Sequence, residues 1–369
     1  MIKAQAKIQR LHNAFSHREG DSIPAGEFFW TGFLKRCRRI WGDNFDPYRH
    51  FDLDYIVVTP NMDPVIQSFE ILEQNQNDVV LRTGFGAVIR RRGEDPMPVF
   101  ESFSVKTPGE MQDFVFDDPA DPRRFYEGGD DQLNCVADAL TRNIPSWQDR
   151  LAPCLDDFAV FGSVCEPFEY LWRIIGSENA LMWMAEAPDE MERFINRVGG
   201  FLLDFARAQI EAGKGRLSGM IIWGDVAYKK GMIFGLKRWR QWFKPHVKEL
   251  IDLCRSHNLM TIYHGCGNAA ALFDDLVELH LDAYNPLEAK AGLDVVKLKE
   301  TYAGKLAFVG NIDVRILESG DPQAIRREVL YKRQAAKGGG YVFQSDHSIS
   351  SRVSPESYQL ALNVLRENA

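Results

Sequence analysis

No stretch of this 369-residue chain approaches the roughly 18 uninterrupted apolar residues that a membrane span needs. The start, Met1-Ile2-Lys3-Ala4-Gln5-Ala6-Lys7, leads into a polar amphipathic segment without a signal-peptide core, so a cytoplasmic location is expected. Cysteine is sparse. The six thiols, Cys37, Cys135, Cys154, Cys165, Cys254 and Cys266, form no CxxC pair and no regular spacing, which reads as free thiols in a reducing compartment. A basic excess is also missing. The formal net charge of −8 repels phosphate backbones and anionic lipid surfaces, so neither nucleic acid nor membrane is expected as a partner. There is no repeat of solenoid length, and no GxGxxG opens a helix after the first strand, which weighs against a dinucleotide fold.

What is present is ordinary globular material, 45% hydrophobic and 26% charged, enough to bury a core without disulfides or a structural metal. Ile8, Leu11 and Phe15 share one face of an N-terminal helical stretch. Strand-like runs follow at 22–28 and 54–58, and residues 66–105 alternate as two or three antiparallel strands with turn material at Thr83-Gly84-Phe85-Gly86. Residues 119–150 are polar and read as helix and loop. From about residue 157 short apolar runs (158–161, 220–223, 260–263, 281–284, 306–309 and 341–343) alternate with helical patterns at 187–212, 236–257, 268–279, 294–302, 321–336 and 355–367. Such alternation implies parallel strands with crossover helices, and the count predicts a single (β/α)8 TIM barrel over 1–369 with an N-terminal helical and β-hairpin elaboration.

In that architecture chemistry sits after the strand C-termini. The residues found there are polar in nearly every case: Glu27; Asn61 to Asp63; Cys165 and Glu166; Asp225; His264 and Cys266; Asn285; Asn311 and Asp313; Asp346 and His347. The sharpest motif is Tyr263-His264-Gly265-Cys266-Gly267-Asn268. A turn at Gly265 brings imidazole and thiolate, both favoured zinc ligands, to one point; the competing reading is turn chemistry with a core cysteine. His347 reads as a third ligand or acid/base group, or as a histidine satisfied by Asp346 or backbone. Glu166 and Asp225 read as a fourth ligand or a proton acceptor, or as helix caps and arginine partners. Trp30, Trp172, Trp223 and Tyr228 suit a flat-walled pocket for an aryl substrate, and equally suit rim packing.

Several segments in order resemble the uroporphyrinogen decarboxylase superfamily: Trp223-Gly224-Asp225, Phe243-Lys244-Pro245, His264-Gly265-Cys266-Gly267-Asn268, Asp282-Ala283-Tyr284-Asn285-Pro286-Leu287, Phe308-Val309-Gly310-Asn311-Ile312-Asp313 and the terminal Asp346-His347. Looser likeness extends to Asp21-Ser22-Ile23-Pro24 and to the stretch from Phe51 to Val58. The resemblance implies the same barrel. It places Asp54 near the family's key aspartate and His347 near its histidine. True decarboxylases bind substrate acetates through arginines in a segment of the type Met-Arg-Gln-Ala-Gly-Arg-Tyr. Here the corresponding 26–33 stretch has none, so an acidic, aromatic rim is expected.

The cobalamin-dependent methyltransferase branch carries His-x-Cys and a later Cys. His264 and Cys266 match, and His347 stands at the third position. The resemblance thus implies zinc on His264, Cys266 and His347, with Glu166 as a fourth candidate. It further implies a cobalamin on a separate corrinoid protein and a small substrate such as a methoxylated aromatic. Asp225, Glu166 and Asp54 are the expected catalytic groups. Glu27, Trp30, Trp223, Tyr228, Asn285 and Asn311 are the expected substrate contacts. A porphyrinogen decarboxylase and a non-catalytic binding protein are the alternatives, and a homodimer is in keeping with the superfamily.

Overall fold

Apolar runs covered on both faces form strands of a buried parallel sheet, and Ala159–Cys165, with all seven residues buried, does so most completely. The computed structural model describes residues 3–66, 70–76, 78–92, 98–129 and 144–367. Cys135 and the middle of the polar 119–150 stretch lie outside the described residues.

In chain order the strands are β1 (Tyr55–Val57), β2 (Glu70–Gln74), β3 (Asp78–Arg82), β4 (Val88–Arg92), β5 (Val99–Ser102), β6 (Ala159–Cys165), β7 (Gly219–Trp223), β8 (Ala227–Tyr228), β9 (Gly231–Met232), β10 (Met260–His264), β11 (Ala283–Asn285), β12 (Ala307–Val309) and β13 (Tyr341–Val342). Seven of them make one curled parallel sheet in the order β1-β6-β7-β10-β11-β12-β13. This is an α/β, TIM-barrel-like fold. The run expected as a first strand, 22–28, takes a different form. It hydrogen-bonds to both edges of the sheet through Gly26 N–H to Phe343 O (2.9 Å), Phe343 N–H to Pro24 O (2.8 Å) and Asp54 N–H to Ala25 O (2.7 Å). Isolated bridges pair Ala25 with Phe343 and Phe29 with Ile349. Pro24 interrupts the donor pattern that a regular strand would need.

Ahead of and beside the sheet lie helices Lys3–Phe15 and Thr31–Trp41. The 66–105 region holds four antiparallel strands, β2-β3-β4-β5, where two or three were expected. The fourth, Val99–Ser102, is short and mostly exposed, so its alternation is weak in the sequence. The helical stretch 236–257 divides into Leu236–Trp242 and Lys244–Ser256, since Pro245 favours a helix start over a helix interior. Asp294, Asp313, Asp321 and Ser354 each accept a backbone N–H at the start of the helix they precede, which fixes where the crossovers begin.

The period of two along each strand sorts the core into two layers. Ala159, Phe161, Ile221, Ile262, Ala283, Ala307, Val309 and Val342 meet inside the curl. Their neighbours Val160, Met220, Ile222, Tyr263, Tyr284, Phe308 and Tyr341 face the surrounding helices. The inward track therefore runs through Ile221 to Trp223, Ile262 to His264 and Ala283 to Asn285, so these three side chains arrive at one level at the C-terminal end. Among the described residues no helix is long and apolar enough to cross a membrane.

Candidate metal centre

The registers pair His264 of β10 with Trp223 of β7 and with Asn285 of β11. The ladder continues past the strand ends: Gly224 N–H donates to His264 O and Gly265 N–H to Asn285 O, both at 2.7 Å. Glycine is required at these steps. A Cβ on Gly224 would meet Tyr263 Oη at 2.2 Å, and one on Gly265 would meet Tyr284 Oη at 2.8 Å and Gly224 O at 2.9 Å. The close approach lets residues 225 and 266 turn toward each other. Cys266 N–H donates to Asp225 Oδ1 at 2.8 Å, and Asp225 N–H donates to Glu169 Oε1 at 2.8 Å. Glu169 is buried and in ion-pair contact with Arg173.

Asp225, His264 and Cys266 each offer one ligand atom within 4.8 Å of the other two. All three are partly exposed, at the mouth of the sheet. The donor chemistry fits a borderline-soft divalent cation: one imidazole, one thiol and one carboxylate, with room for a fourth ligand from outside the protein. The imidazole is already disposed to bind. Its Nδ1 lies 2.6 Å from Asn285 Oδ1, an acceptor, so Nδ1 carries the proton and Nε2 keeps its lone pair, 3.7 Å from Cys266 Sγ. Burial lowers the His264 pKa to about 4, so the ring is neutral through the physiological range. Burial raises Asp225 to about 7, with the Glu169 charge adding to it, and pushes the Cys266 thiol well up with help from Asp225. Burial keeps His264 neutral, and burial with nearby carboxylates favours the protonated forms of Asp225 and Cys266, a penalty that a bound cation would relieve.

Trp223 stacks edge-on to His264 at 4.6 Å between ring centroids, and Phe28 covers both at 5.6 and 6.1 Å. Glu166 lies behind the cluster, fully buried. Its Oε2 accepts from Tyr263 Oη (3.0 Å) and Trp239 Nε1 (3.3 Å), whereas Oε1 has no partner. Burial pushes this carboxyl up to about 8.

The other expected residues fall elsewhere. His347 is not in the cluster of three; its Nδ1 is 3.2 Å from Ser348 O, and it lines a cavity of about 680 Å³ with Trp30, whose ring meets it edge-on at 5.5 Å. Asp54 does not join the site: it precedes β1, at the opposite end of the sheet, where it contacts Arg10 and accepts Ala25 N–H. The expectation for Asp54 comes from the family resemblance, and its ion pair with Arg10 gives it a structural role at that end. Asn311 is also structural, with its amide donating to Leu287 O and Leu293 O and its oxygen accepting from Val295 N–H and Lys332 Nζ. Glu27 is buried beneath Ser345, accepting from its N–H and Oγ and from Phe28 N–H. Tyr228 is about half exposed, and its backbone oxygen, not its ring, holds Asn268. Trp172 is covered by Arg173, 3.9 Å over its ring.

Sequence reasoning missed Glu169, Tyr263 and Trp239 as supports, because helical carboxylates and core aromatics carry no local signature. It also expected an acidic rim. The cavity beside Trp30 and His347 is basic instead, lined by Lys35, Arg36 and Arg39 of Thr31–Trp41, one turn beyond the stretch that lacks arginine.

Replacing Asn285 by Ala removes the acceptor that fixes the His264 tautomer. The expected result is zinc affinity weakened about 10- to 100-fold with the fold intact, read by competition with a chromogenic chelator. Unchanged affinity would mean that Asn285 does not orient the ring.

A family profile described as Uroporphyrinogen decarboxylase (URO-D) matches residues 94–368. A curated relative named Uroporphyrinogen decarboxylase, from Pelodictyon phaeoclathratiforme, is 22% identical over 248 residues, 65% of this chain and 66% of that protein. Another, named Methylcobamide:CoM methyltransferase MtbA, from Methanosarcina mazei, is 20% identical over 321 residues, 86% of each chain. A solved structure described as a methyltransferase from Methanosarcina mazei superposes with a TM-score of 0.67 at 16% identity over 98% of both chains, a likeness of fold. Relatives of two activities thus share one scaffold, and with most of its length inside the profile this chain belongs to the uroporphyrinogen decarboxylase family.

Proposed function

We propose that this chain is a methyltransferase that moves a methyl group between a small organic substrate and a cobalamin on a separate corrinoid protein. The observation that carries the reading is the Asp225, His264 and Cys266 cluster at the strand ends. On this reading residues 1–369 form one domain, with Pro24 to Gly26 as the eighth stave of a (β/α)8 barrel.

Asp225, His264 and Cys266 would hold zinc, which when bound supplies Lewis acidity to a substrate heteroatom. Asn285 keeps the His264 Nε2 lone pair directed at the site, and Glu169 fixes the turn that presents Asp225. Phe28 and Trp223 exclude water from the imidazole. Glu166 holds a proton in a buried carboxyl whose Oε1 is uncommitted, a store for the heteroatom that loses its methyl. The relative named as a Methylcobamide:CoM methyltransferase supports the reaction class.

A second reading, a carboxy-lyase, is favoured by the basic cavity at the rim, which suits an acidic substrate. The deciding experiment measures zinc in the purified chain and methyl transfer to a corrinoid protein before and after chelation. Zinc-dependent transfer is the expected result. Absence of zinc after reconstitution, or decarboxylation insensitive to chelators, would replace the first reading with the second.

A further inference from the structure

The cavity of about 680 Å³ beside His347 is the size of a small-molecule site. Its lining holds six cationic side chains and one carboxylate, Glu318, in a chain whose net charge is −8. The cations are not all spent internally. Arg36 donates to the carbonyls of Ser351 (2.6 Å) and Val353 (3.2 Å), neutral partners that leave its charge uncompensated and fix the loop carrying Arg352. Arg315 is neutralised by Asp313 at 2.6 Å, and Lys290 lies 3.6 Å from Glu288. Arg39 and Arg352 are exposed and have no carboxylate partner among the described residues. They approach the cavity from different segments, a helix and the loop after the last strand.

An apolar wall completes the site, where Trp30 and His347 meet edge-on. The segment that lines the cavity with Trp30 also covers the metal centre, since Phe28, two residues earlier, packs against His264 and Trp223. A ligand with its ring against Trp30 would keep an oxyanion among the guanidinium groups, which pair with planar oxyanions in two-point fashion.

We infer that this cavity binds an oxyanion, a carboxylate or a phosphate ester, on an aromatic body, and that the substrate of the metal centre is such an anion. The link to the metal centre rests on the methyl-transfer reading; capture of the anion does not. The discriminating measurement is calorimetric titration of the full chain near neutral pH with 4-methoxybenzoate, 4-methoxyphenyl phosphate and the neutral 4-methoxybenzyl alcohol. At least one anion is expected to bind about tenfold or more tighter than the alcohol, and the tighter of the two anions names the source of the oxyanion. The double variant Arg39→Gln, Arg352→Gln should lose that preference. Arg38→Gln, exposed on the same helix outside the cavity, should keep it. Cys266→Ala should keep it too, so loss of the metal and loss of anion binding are separate results. Equal affinity for anions and alcohol, no binding of any probe, or an undiminished preference in the double variant would overturn the proposal.

Discussion

Cys266→Ala and Asp225→Ala are each expected to reduce bound zinc from about one per chain to background, while His347→Ala leaves the zinc in place. The reasoning is geometric. Three donors from two adjacent strand ends already lie within 4.8 Å of one another, and backbone hydrogen bonds fix both turns that present them. His347 is committed to Ser348 O and to the edge of Trp30, so removing it changes the cavity and not the cluster. On the methyl-transfer reading, transfer should fall by about a thousandfold or more with either cluster variant, since each removes a proposed metal ligand. Elemental analysis of chains purified without a tag reads the first effect and single-turnover methyl transfer the second. If His347→Ala strips the zinc and Asp225→Ala retains it, the ligand set is instead His264, Cys266 and His347.

Glu166→Gln should change how stability depends on pH. Burial holds the Glu166 carboxyl at about 8 in the folded chain, against the ordinary 4.5. The folded state therefore retains a proton that the unfolded state releases above pH 4.5. That contribution to stability is complete below about 4.5 and is lost as the pH rises through about 8. Gln has no proton to lose. The metal-free wild type should lose ground to the variant steadily across this interval, by up to about 5 kcal/mol at the alkaline end. Urea unfolding at several pH values reads the gap. Parallel pH profiles for the two proteins would show that Glu166 is ionised in the fold or that its environment relaxes. Glu27, held at about 8 by burial, adds to the slope in both proteins and cancels in the difference.

The sequence made the parallel sheet legible because each inner strand is buried on both faces, and a continuous apolar run between helical patterns has few other solutions. His264 and Cys266 were legible for a local reason, a glycine turn directly after a strand. In the sequence Asp225 reads as a fourth ligand or a proton acceptor on equal terms with Glu166, and what sets it apart is the hydrogen bond from Cys266 N–H across 41 residues. Asp54 is a candidate through the family resemblance alone; it opens the 54–58 run, so chain direction already puts it at the N-terminal end of β1. The basic cavity was hidden because its cations come from segments as far apart as 36 and 351, joined by Arg36.

The seam where residues 24–26 bridge the two edges of the sheet divides the rim into two provinces. The cluster of three belongs to β7 and β10, in the uninterrupted half of the sheet, with β11 behind it. Trp30, His347 and the guanidinium groups belong to the segments beside the seam, held by a handful of isolated bridges. Substitution or insertion along the seam can therefore reshape the basic cavity while the strand pairing that presents Asp225, His264 and Cys266 stays in place. On the methyl-transfer reading, a scaffold partitioned in this way can exchange one clientele for another while its metal ligands stay where they are.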